Sequence, residues 1–418
     1  MTEVSAERAY LFRHPLLREA SYQLQLPSSR ARLHALALAI LEQTMGAEAG
    51  ALGAELAAHA AGALAQRSLK KAARLRLVEM EVRYRMQAAA WATKLSDLKG
   101  AIEQYQRIAD HTLAAPRDAA VARWHLGVRQ MAVGRQDEAQ KNLEAALIMA
   151  RKLDDTLMQV SVELELGNLA LARSQPEVAG EIFGRALKAA HALGNVKLQS
   201  VAQGGLAGVA YRRGDYSGAV QGYRNALAAS ESAGDATNVA INLINLANAL
   251  YQSDSPEAGL QVARAVCQRL KGGGLARLEV IALTNLANYL EDAGSIAEAL
   301  STLSAAEAVA ARIGNAQMTA QMLDVRARIE MRHGRYREAA RWLEQALESA
   351  RENGRMLEEA RCLARHAVAL AHLKRRTDAQ REWAQAVALF DALRSNEYTG
   401  ELSRQFAEAT NATTLATT

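Results

Sequence analysis

Small residues recur about every forty positions along most of this 418-residue chain. The recurring residues are Ala101, Ala139, Ala179, Ala219, Ala258, Ala299, Ala339 and Ala379, with spacings of 38, 40, 40, 39, 41, 40 and 40. A period in this range is typical of stacked helical or strand units that bury their apolar faces only against their neighbours. A chain of this length would otherwise suggest two or three domains, since one compact core rarely exceeds about 300 residues.

Each unit contains two helical segments joined by a short turn. In one unit Leu283, Leu286 and Leu290 share a helix face, the turn EDAGS follows, and Leu303 lies on the apolar face of the next helix. The small residue after each turn allows the two helices to approach closely. Alanine and leucine dominate the chain and only 5% of residues are aromatic, a composition that favours helix throughout.

The turns carry residues with defined backbone preferences. Four first helices end at a glycine that can adopt positive φ, namely Gly134, Gly214, Gly294 and Gly334. Second turns contain Gly194, Gly234, Gly314-Asn315 and Asn353-Gly354. Two other units place Pro176 and Pro256 at the first helical position, and we predict that Ser255 caps its helix.

The repeat resembles the tetratricopeptide repeat over roughly Trp91 to Arg394, with about forty residues per unit instead of the usual ~34. The longer unit is similar to those of kinesin light chains and of the sensor arms of STAND-class signalling ATPases. The resemblance implies an all-α fold, a right-handed superhelical solenoid of about eight tetratricopeptide-like helical hairpins. It also implies that the first helices line a concave surface that binds a protein or an extended peptide.

The segment YLFRHPLLREASYQLQLPSSRARLHALALAILE, from Tyr10 to Glu42, differs from the repeats. With its Pro-Ser-Ser turn it resembles the winged-helix segment that closes STAND ATPase modules. We therefore assign residues 1–45 to a winged-helix-like remnant and 46–90 to linker helices. The chain contains no G-x-x-x-x-G-K-[ST] motif, so we expect no ATP hydrolysis and a structural or interface role for His14. An ATPase or kinase partner would fit this resemblance.

No pattern indicates catalysis, a metal or a cofactor. The nine histidines form no His-x-x-x-His pair. Cys362 and His366 are spaced i, i+4, but no oxyanion-donor loop accompanies them, so we interpret Cys362 as a packing residue. The sequence predicts a non-enzyme without cofactors.

Asparagines recur on the first helices. They are Asn168, Asn242, Asn245, Asn248, Asn285 and Asn288. Asparagine costs about 0.5–0.7 kcal/mol relative to alanine inside a helix, so this repetition needs a reason. By resemblance, these amides would bind the backbone of an extended peptide, because an amide both donates and accepts. The alternative is that they bridge adjacent repeats or face water.

Arginines take comparable positions farther along, at Arg328, Arg332, Arg361 and Arg365. A basic wall would bind carboxylates or phosphates by bidentate pairing. The sequence therefore predicts a groove with amides in the middle and arginines toward the C-terminal end, suited to an extended segment with acidic residues.

Positive and negative charges are nearly balanced along the chain. Lysine and arginine number 50 against 45 acidic residues, so a nucleic-acid-binding solenoid is disfavoured. No signal pattern, membrane span or disulfide framework is present, which predicts a cytoplasmic protein.

The basic segment Lys70–Trp91 should pack on the first repeat. Residues 395–418 should hold a helix end and a disordered tail from Ala409. The function predicted is a peptide-binding adaptor or sensor; the alternative is the sensor arm of a split or truncated STAND ATPase.

Overall fold

The computed structural model describes residues 20–45, 51–66, 68–95, 97–253, 255–312, 319–352, 355–393 and 400–415. All regular elements in these ranges are helices. In chain order they are α1 (Pro27–Met45), α2 (Gly53–Leu64), α3 (Lys71–Lys94), α4 (Leu98–Ala109), α5 (Pro116–Ala132), α6 (Gln136–Lys152), α7 (Thr156–Ala172), α8 (Pro176–Ala192), α9 (Val196–Arg212), α10 (Tyr216–Ser232), α11 (Ala236–Gln252), α12 (Pro256–Leu270), α13 (Ala276–Asp292), α14 (Ile296–Arg312), α15 (Thr319–Arg332), α16 (Tyr336–Glu352), α17 (Met356–His372), α18 (Arg376–Ala392) and α19 (Glu401–Leu415).

The chain divides into two compact units. The first contains residues 1–91 and 103–122, and the second contains residues 92–102 and 123–418. The domain boundaries expected from the sequence, at residues 45, 90 and 394, stay predictions.

In the first unit α1, α2 and α3 share a small core. Leu38, Leu56 and Ala57 are buried there with Tyr84 from α3. Met80 packs against the same cluster, so Met80 and Tyr84 of the segment Lys70–Trp91 pack on α1 and α2.

The expected Pro-Ser-Ser turn is wrong, because α1 begins at Pro27. Proline is favoured at the first helical position, where its missing N–H costs nothing. His14 lies outside the described residues.

The second unit is a series of helical hairpins from α6 onward. The fourth residue of each second helix is buried and small, at Ala139, Ala179, Ala219, Gly259, Ala299, Ala339 and Ala379, and each lies 40 residues after the last. The expected register was wrong at Ala258, which is only half-buried. Because α12 begins at Pro256, its fourth residue is Gly259. The forty-residue period is therefore uniform through this part of the chain.

Gly259 is required by a close approach of two helices. A Cβ atom at this position would lie 2.5 Å from the backbone nitrogen of Tyr251 and 2.7 Å from its Cα. We predict that Gly259→Ala lowers the free energy of unfolding by about 1–3 kcal/mol, because backbone atoms cannot rotate away. The measurement is the urea midpoint of the purified protein.

A matched control for this prediction is Gly184→Ala on α8. A Cβ at Gly184 meets nothing within 4 Å. The substitution should therefore raise stability by up to about 1 kcal/mol through helix propensity alone. Equal shifts for the two variants would contradict the close-approach explanation for Gly259.

The turn predictions hold in most places. Gly134, Gly214, Gly294 and Gly334 have φ of 81°, 79°, 77° and 71°. Pro176 and Pro256 begin their helices as expected, but Ser255 makes no side-chain capping bond. Its backbone has φ −134° and ψ 58° instead of the extended N-cap geometry. The turns at Gly314-Asn315 and Asn353-Gly354 lie outside the described residues.

The C-terminal segment is helical as far as Leu415, where disorder was expected from Ala409, and residues 416–418 lie outside the described residues. Helix α19 continues to Leu415, although its sequence from Ala409 lacks an apolar stripe. Its first half supplies the missing contacts, since Phe406 stacks on Trp383 with ring centroids 4.5 Å apart and planes 3° apart. Leu402 packs against the same core as Trp383. Packing of the first turns therefore supports a helix that the local sequence alone does not predict.

Candidate functional site

Asn242 is a core residue of the second unit. It is 4% exposed, and its Nδ2 lies 3.3 Å from Ser200 Oγ and 3.4 Å from Ser230 Oγ. Both hydroxyls are themselves buried on α9 and α10. The Asn242 amide thus binds two serines within the core and joins two hairpins. The expectation that Asn242 faces a partner is wrong. A buried amide needs such partners because leaving it unsatisfied would cost about 1–3 kcal/mol.

A row of polar side chains runs across α11, α13 and α15. This polar ladder consists of Asn248, Asn285, Asn288, Tyr289 and Arg328. Asn285 Nδ2 donates to Asn248 Oδ1 at 3.3 Å, and the Tyr289 hydroxyl donates to the same oxygen. Arg328 donates to Asn288 Oδ1. These contacts bridge neighbouring repeats, yet the three asparagines are only half-buried.

The other two asparagines differ from the polar ladder. Asn168 is exposed, and its Nδ2 donates to Glu165 on its own helix at 3.1 Å. Asn245 is half-buried on α11 and makes no hydrogen bond with any described residue. Of the predicted amides, Asn245 is therefore the one whose donor and acceptor are both uncommitted within the part of the chain that the structure describes.

Three of the four predicted arginines are neutralised by carboxylates of the preceding repeat. Arg332 Nε lies 2.6 Å from Glu291 Oε1, and Arg332 Nη2 lies 2.7 Å from Asp292 Oδ1. Arg365 Nη1 donates to both carboxylate oxygens of Asp324, at 2.6 and 2.7 Å. Burial raises the pKa of Glu291, while the nearby positive charges of Arg328 and Arg332 oppose that rise. Internal pairing therefore uses much of the charge that was expected to face a partner.

The four arginines also do not form one wall. Arg328, Arg332 and Arg365 line a cavity of about 590 Å³, whose other side includes Glu401 and Glu408 of α19. Arg361 lines a different cavity of about 530 Å³. The sequence predicted a single basic region, but these arginines line two separate cavities, and the one with Arg328, Arg332 and Arg365 also contains acidic residues.

The contact partners of these residues were missed by reasoning from single helices. The forty-residue period of the sequence nevertheless indicates these partners, because the bridged residues lie about forty positions apart. Asn288 and Arg328 are 40 apart, as are Asp292 and Arg332, and Asp324 and Arg365 are 41 apart. Complementary residue types one period apart therefore indicate a bridge between repeats.

Cys362, four residues before His366, lies in the core of the second unit. Cys362 is 1% exposed within an apolar cluster, and burial raises the pKa of its thiol. His366 Nδ1 lies 2.5 Å from Glu382 Oε2, so the ring is held by a carboxylate on α18. A search of the described residues finds no group of three or more histidine, cysteine or acidic side chains placed to hold a metal.

Comparison of the sequence with protein-family models and with curated proteins gives no match. Among solved structures, a Rap protein complexed with Competence and Sporulation Factor aligns with a TM-score of 0.58 and 12% identity, over 88% of this chain and 99% of that chain. The Rap conjugation gene regulator of plasmid pLS20, in complex with the Phr* peptide, aligns with a TM-score of 0.55 and 14% identity, over 82% and 95%.

These likenesses establish the fold class. The chain is an all-α protein built as a solenoid of tetratricopeptide-like helical hairpins. A STAND protein with a tetratricopeptide-repeat sensor from Pyrococcus horikoshii aligns with a TM-score of 0.49 and 12% identity, over 92% of this chain and 67% of that chain. That score is too low to relate the two proteins further. Among the described helices, none combines the length and apolarity needed to cross a membrane.

Proposed function

We propose that this protein is a non-enzymatic scaffold that binds an extended peptide or protein segment along the polar ladder and Asn245. The observation that carries the proposal is the first-helix position of these side chains, in a fold shared with a Rap regulator in complex with the Phr* peptide. The two lone thiols, one buried and one half-buried, suit a reducing compartment such as the cytoplasm.

The chemistry of Asn245 and the polar ladder fits a peptide backbone. An extended peptide presents unpaired N–H and C=O groups, and each asparagine amide can satisfy one of both kinds. Asn245 has its donor and acceptor uncommitted among the described residues. Asn248 Oδ1 already accepts two hydrogen bonds, so Asn248 offers its Nδ2 protons, whereas Asn288 retains one lone pair of Oδ1 as well as its Nδ2 protons. Bridging also holds Asn248 and Asn288 in place, so their binding to a peptide would cost little side-chain entropy.

The test begins with selection of peptides from a random displayed library on the full chain. Calorimetry then compares the affinity of the best peptide for the parent protein and for the triple variant Asn245→Ala, Asn248→Ala, Asn288→Ala. We predict at least a tenfold loss, because each hydrogen bond contributes about 0.5–1.5 kcal/mol and 1.4 kcal/mol is tenfold.

The matched control is Asn225→Ala on the second helix α10. Asn225 is exposed, and its one hydrogen bond with a described residue is accepted from Gln221 of the same helix, at 3.0 Å. It should leave the peptide affinity unchanged. Circular dichroism must show that the triple variant remains folded. An unchanged affinity in the folded triple variant, or no enriched peptide at all, would reject the proposal.

The alternative proposal is a sensor arm that serves a STAND ATPase or kinase on another chain. Its support is the sequence of Tyr10–Glu42, of which residues up to 19 lie outside the described structure. A neighbouring gene for a P-loop ATPase that lacks repeats, and whose product copurifies with this chain, would favour the alternative. Binding to nucleic acid is disfavoured by the interleaved charges and would show a steep dependence on salt.

A further inference from the structure

The cavity that contains Arg361 is formed by parts of the second unit that are distant in sequence. Helices α5, α7 and α9 end at it, and the beginning of α17 closes it. Its volume is about 530 Å³, within the range of small-ligand sites. Met131 and Met356 supply apolar surface, so the cavity can hold a ligand with an apolar body as well as polar groups.

The charged lining of this cavity is mainly basic. Arg212, Arg355 and Arg361 line it, and Glu358 is the one acidic residue among the described lining residues. Arg355 donates to Glu358 through one terminal nitrogen, which accounts for that carboxylate. The buried Nε of Arg355 has no hydrogen-bond partner among the described residues. Arg212, at the end of α9, makes no ion pair with a described residue.

Further positive charge lies close to this lining. Burial lowers the pKa of Arg277, and the positive charges of Arg355 and Arg129 lower it further. Like charges are thus gathered from α5, α13 and the turn before α17. The carboxylate associated with Arg129 is Glu165, whose pKa is raised by burial and which accepts a hydrogen bond from Asn168. Arg277, Arg355 and Arg129 therefore lie near enough to one another for their positive charges to repel.

The beginning of α17 adds to the positive electrostatic potential in this cavity. Its N-cap residue is Arg355, and no side chain caps the helix there. Met356, Leu357 and Glu358 of the first turn line the cavity. The first N–H groups of a helix lack partners within the helix, and they carry a partial positive charge. Anions are favoured at such a position.

We propose that this cavity binds a small organic anion that carries at least two carboxylate or phosphate groups beside an apolar body. Arg212, Arg355 and Arg361 would bind the oxyanions, and the methionines would contact the apolar part. This site shares no residue with the polar ladder, so the anion-binding proposal can be tested separately from the peptide-binding proposal. Guanidinium groups suit both oxyanions, because each presents paired acceptors to the planar fork.

The experiment is calorimetric titration of the full chain with three probes: pyrophosphate, ADP and citrate. We expect at least one probe to bind at low ionic strength, with weaker binding at about 0.15 M salt because exposed charges are then screened. Arg212→Gln and Arg355→Gln should each weaken that binding about tenfold. A preference for pyrophosphate or ADP over citrate identifies phosphate as the ligand group, and the reverse identifies carboxylate.

Arg224→Gln provides the matched control. Arg224 is an exposed arginine on α10 that makes no ion pair with a described residue, and it does not line the cavity. Its substitution should leave the affinity unchanged. Arg212 is also exposed, so Arg212→Gln tests the site even if Arg355→Gln unfolds the protein. The proposal is overturned if no probe binds, or if Arg212→Gln binds the probes as tightly as the parent chain.

Discussion

Phe183→Ala is expected to lower the free energy of unfolding by about 3–5 kcal/mol, the range for removing a fully buried aromatic side chain. Phe183 on α8 is 0% exposed and fills a position that is leucine or smaller in several other repeats. Two glycines make room for its ring. A Cβ at Gly167 or at Gly205 would lie 2.6 or 2.5 Å from the ring carbon Cε1.

This arrangement predicts that the effect of Gly205→Ala changes sign. In the parent protein the new methyl group meets the ring, so we expect destabilisation of about 1–3 kcal/mol. In the Phe183→Ala background the same methyl enters the cavity that the ring has left, and it should be stabilising. The double-mutant cycle isolates this coupling because the two residues are in direct contact.

Urea denaturation gives the size of both effects, and hydrogen exchange gives their location. In a solenoid each repeat depends mainly on its neighbours, so protection should fall in α7, α8 and α9 and remain in α17 and α18. Gly184→Ala, on the same helix with open space around it, should have the same small effect in both backgrounds. Additive changes for Phe183 and Gly205 would show that the glycine does not accommodate the ring.

Arg85→Met in the first unit is the second large effect that we expect, at about 3–5 kcal/mol of destabilisation. Arg85 Nε donates to Glu81 Oε1 at 2.7 Å, and both side chains are nearly buried, with 6% and 5% exposed. Arg85 also donates to Gln104 at 3.0 Å. His111 Nε2 lies 3.5 Å from the second carboxylate oxygen of Glu81. Removing the guanidinium group would leave the buried carboxylate without its main partner.

The double variant Glu81→Leu, Arg85→Met should recover most of that stability, because burying two apolar side chains avoids the desolvation of both charges. The exposed pair Arg107–Glu103 is a matched control with the same i, i+4 spacing and the same 2.7 Å distance. There Arg107→Met should cost no more than about 1 kcal/mol, because solvent screens the pair. Equal losses for Arg85→Met and Arg107→Met, by thermal unfolding, would contradict the role of burial.

Sequence alone predicted the repeat, the hairpins and most turns. These features follow from local chemistry: apolar residues at helical spacing, glycines that adopt positive φ, and prolines at first helical positions. The same reasoning misplaced the register at Ala258, since an alanine beside a glycine gives two candidates for one small-residue position. Only the start of α12 at Pro256 decides between them.

Only the tertiary structure decided which polar side chains are available to a partner. Asn242 and Asn245 are three residues apart on α11, yet one is buried between two serines and the other makes no described hydrogen bond. The four arginines predicted to form one wall line two cavities, and carboxylates one repeat earlier pair with Arg332 and Arg365. Helical periodicity determines the face on which a side chain lies. Which neighbours meet that face depends on packing between segments about forty residues or more apart, and local sequence does not determine it.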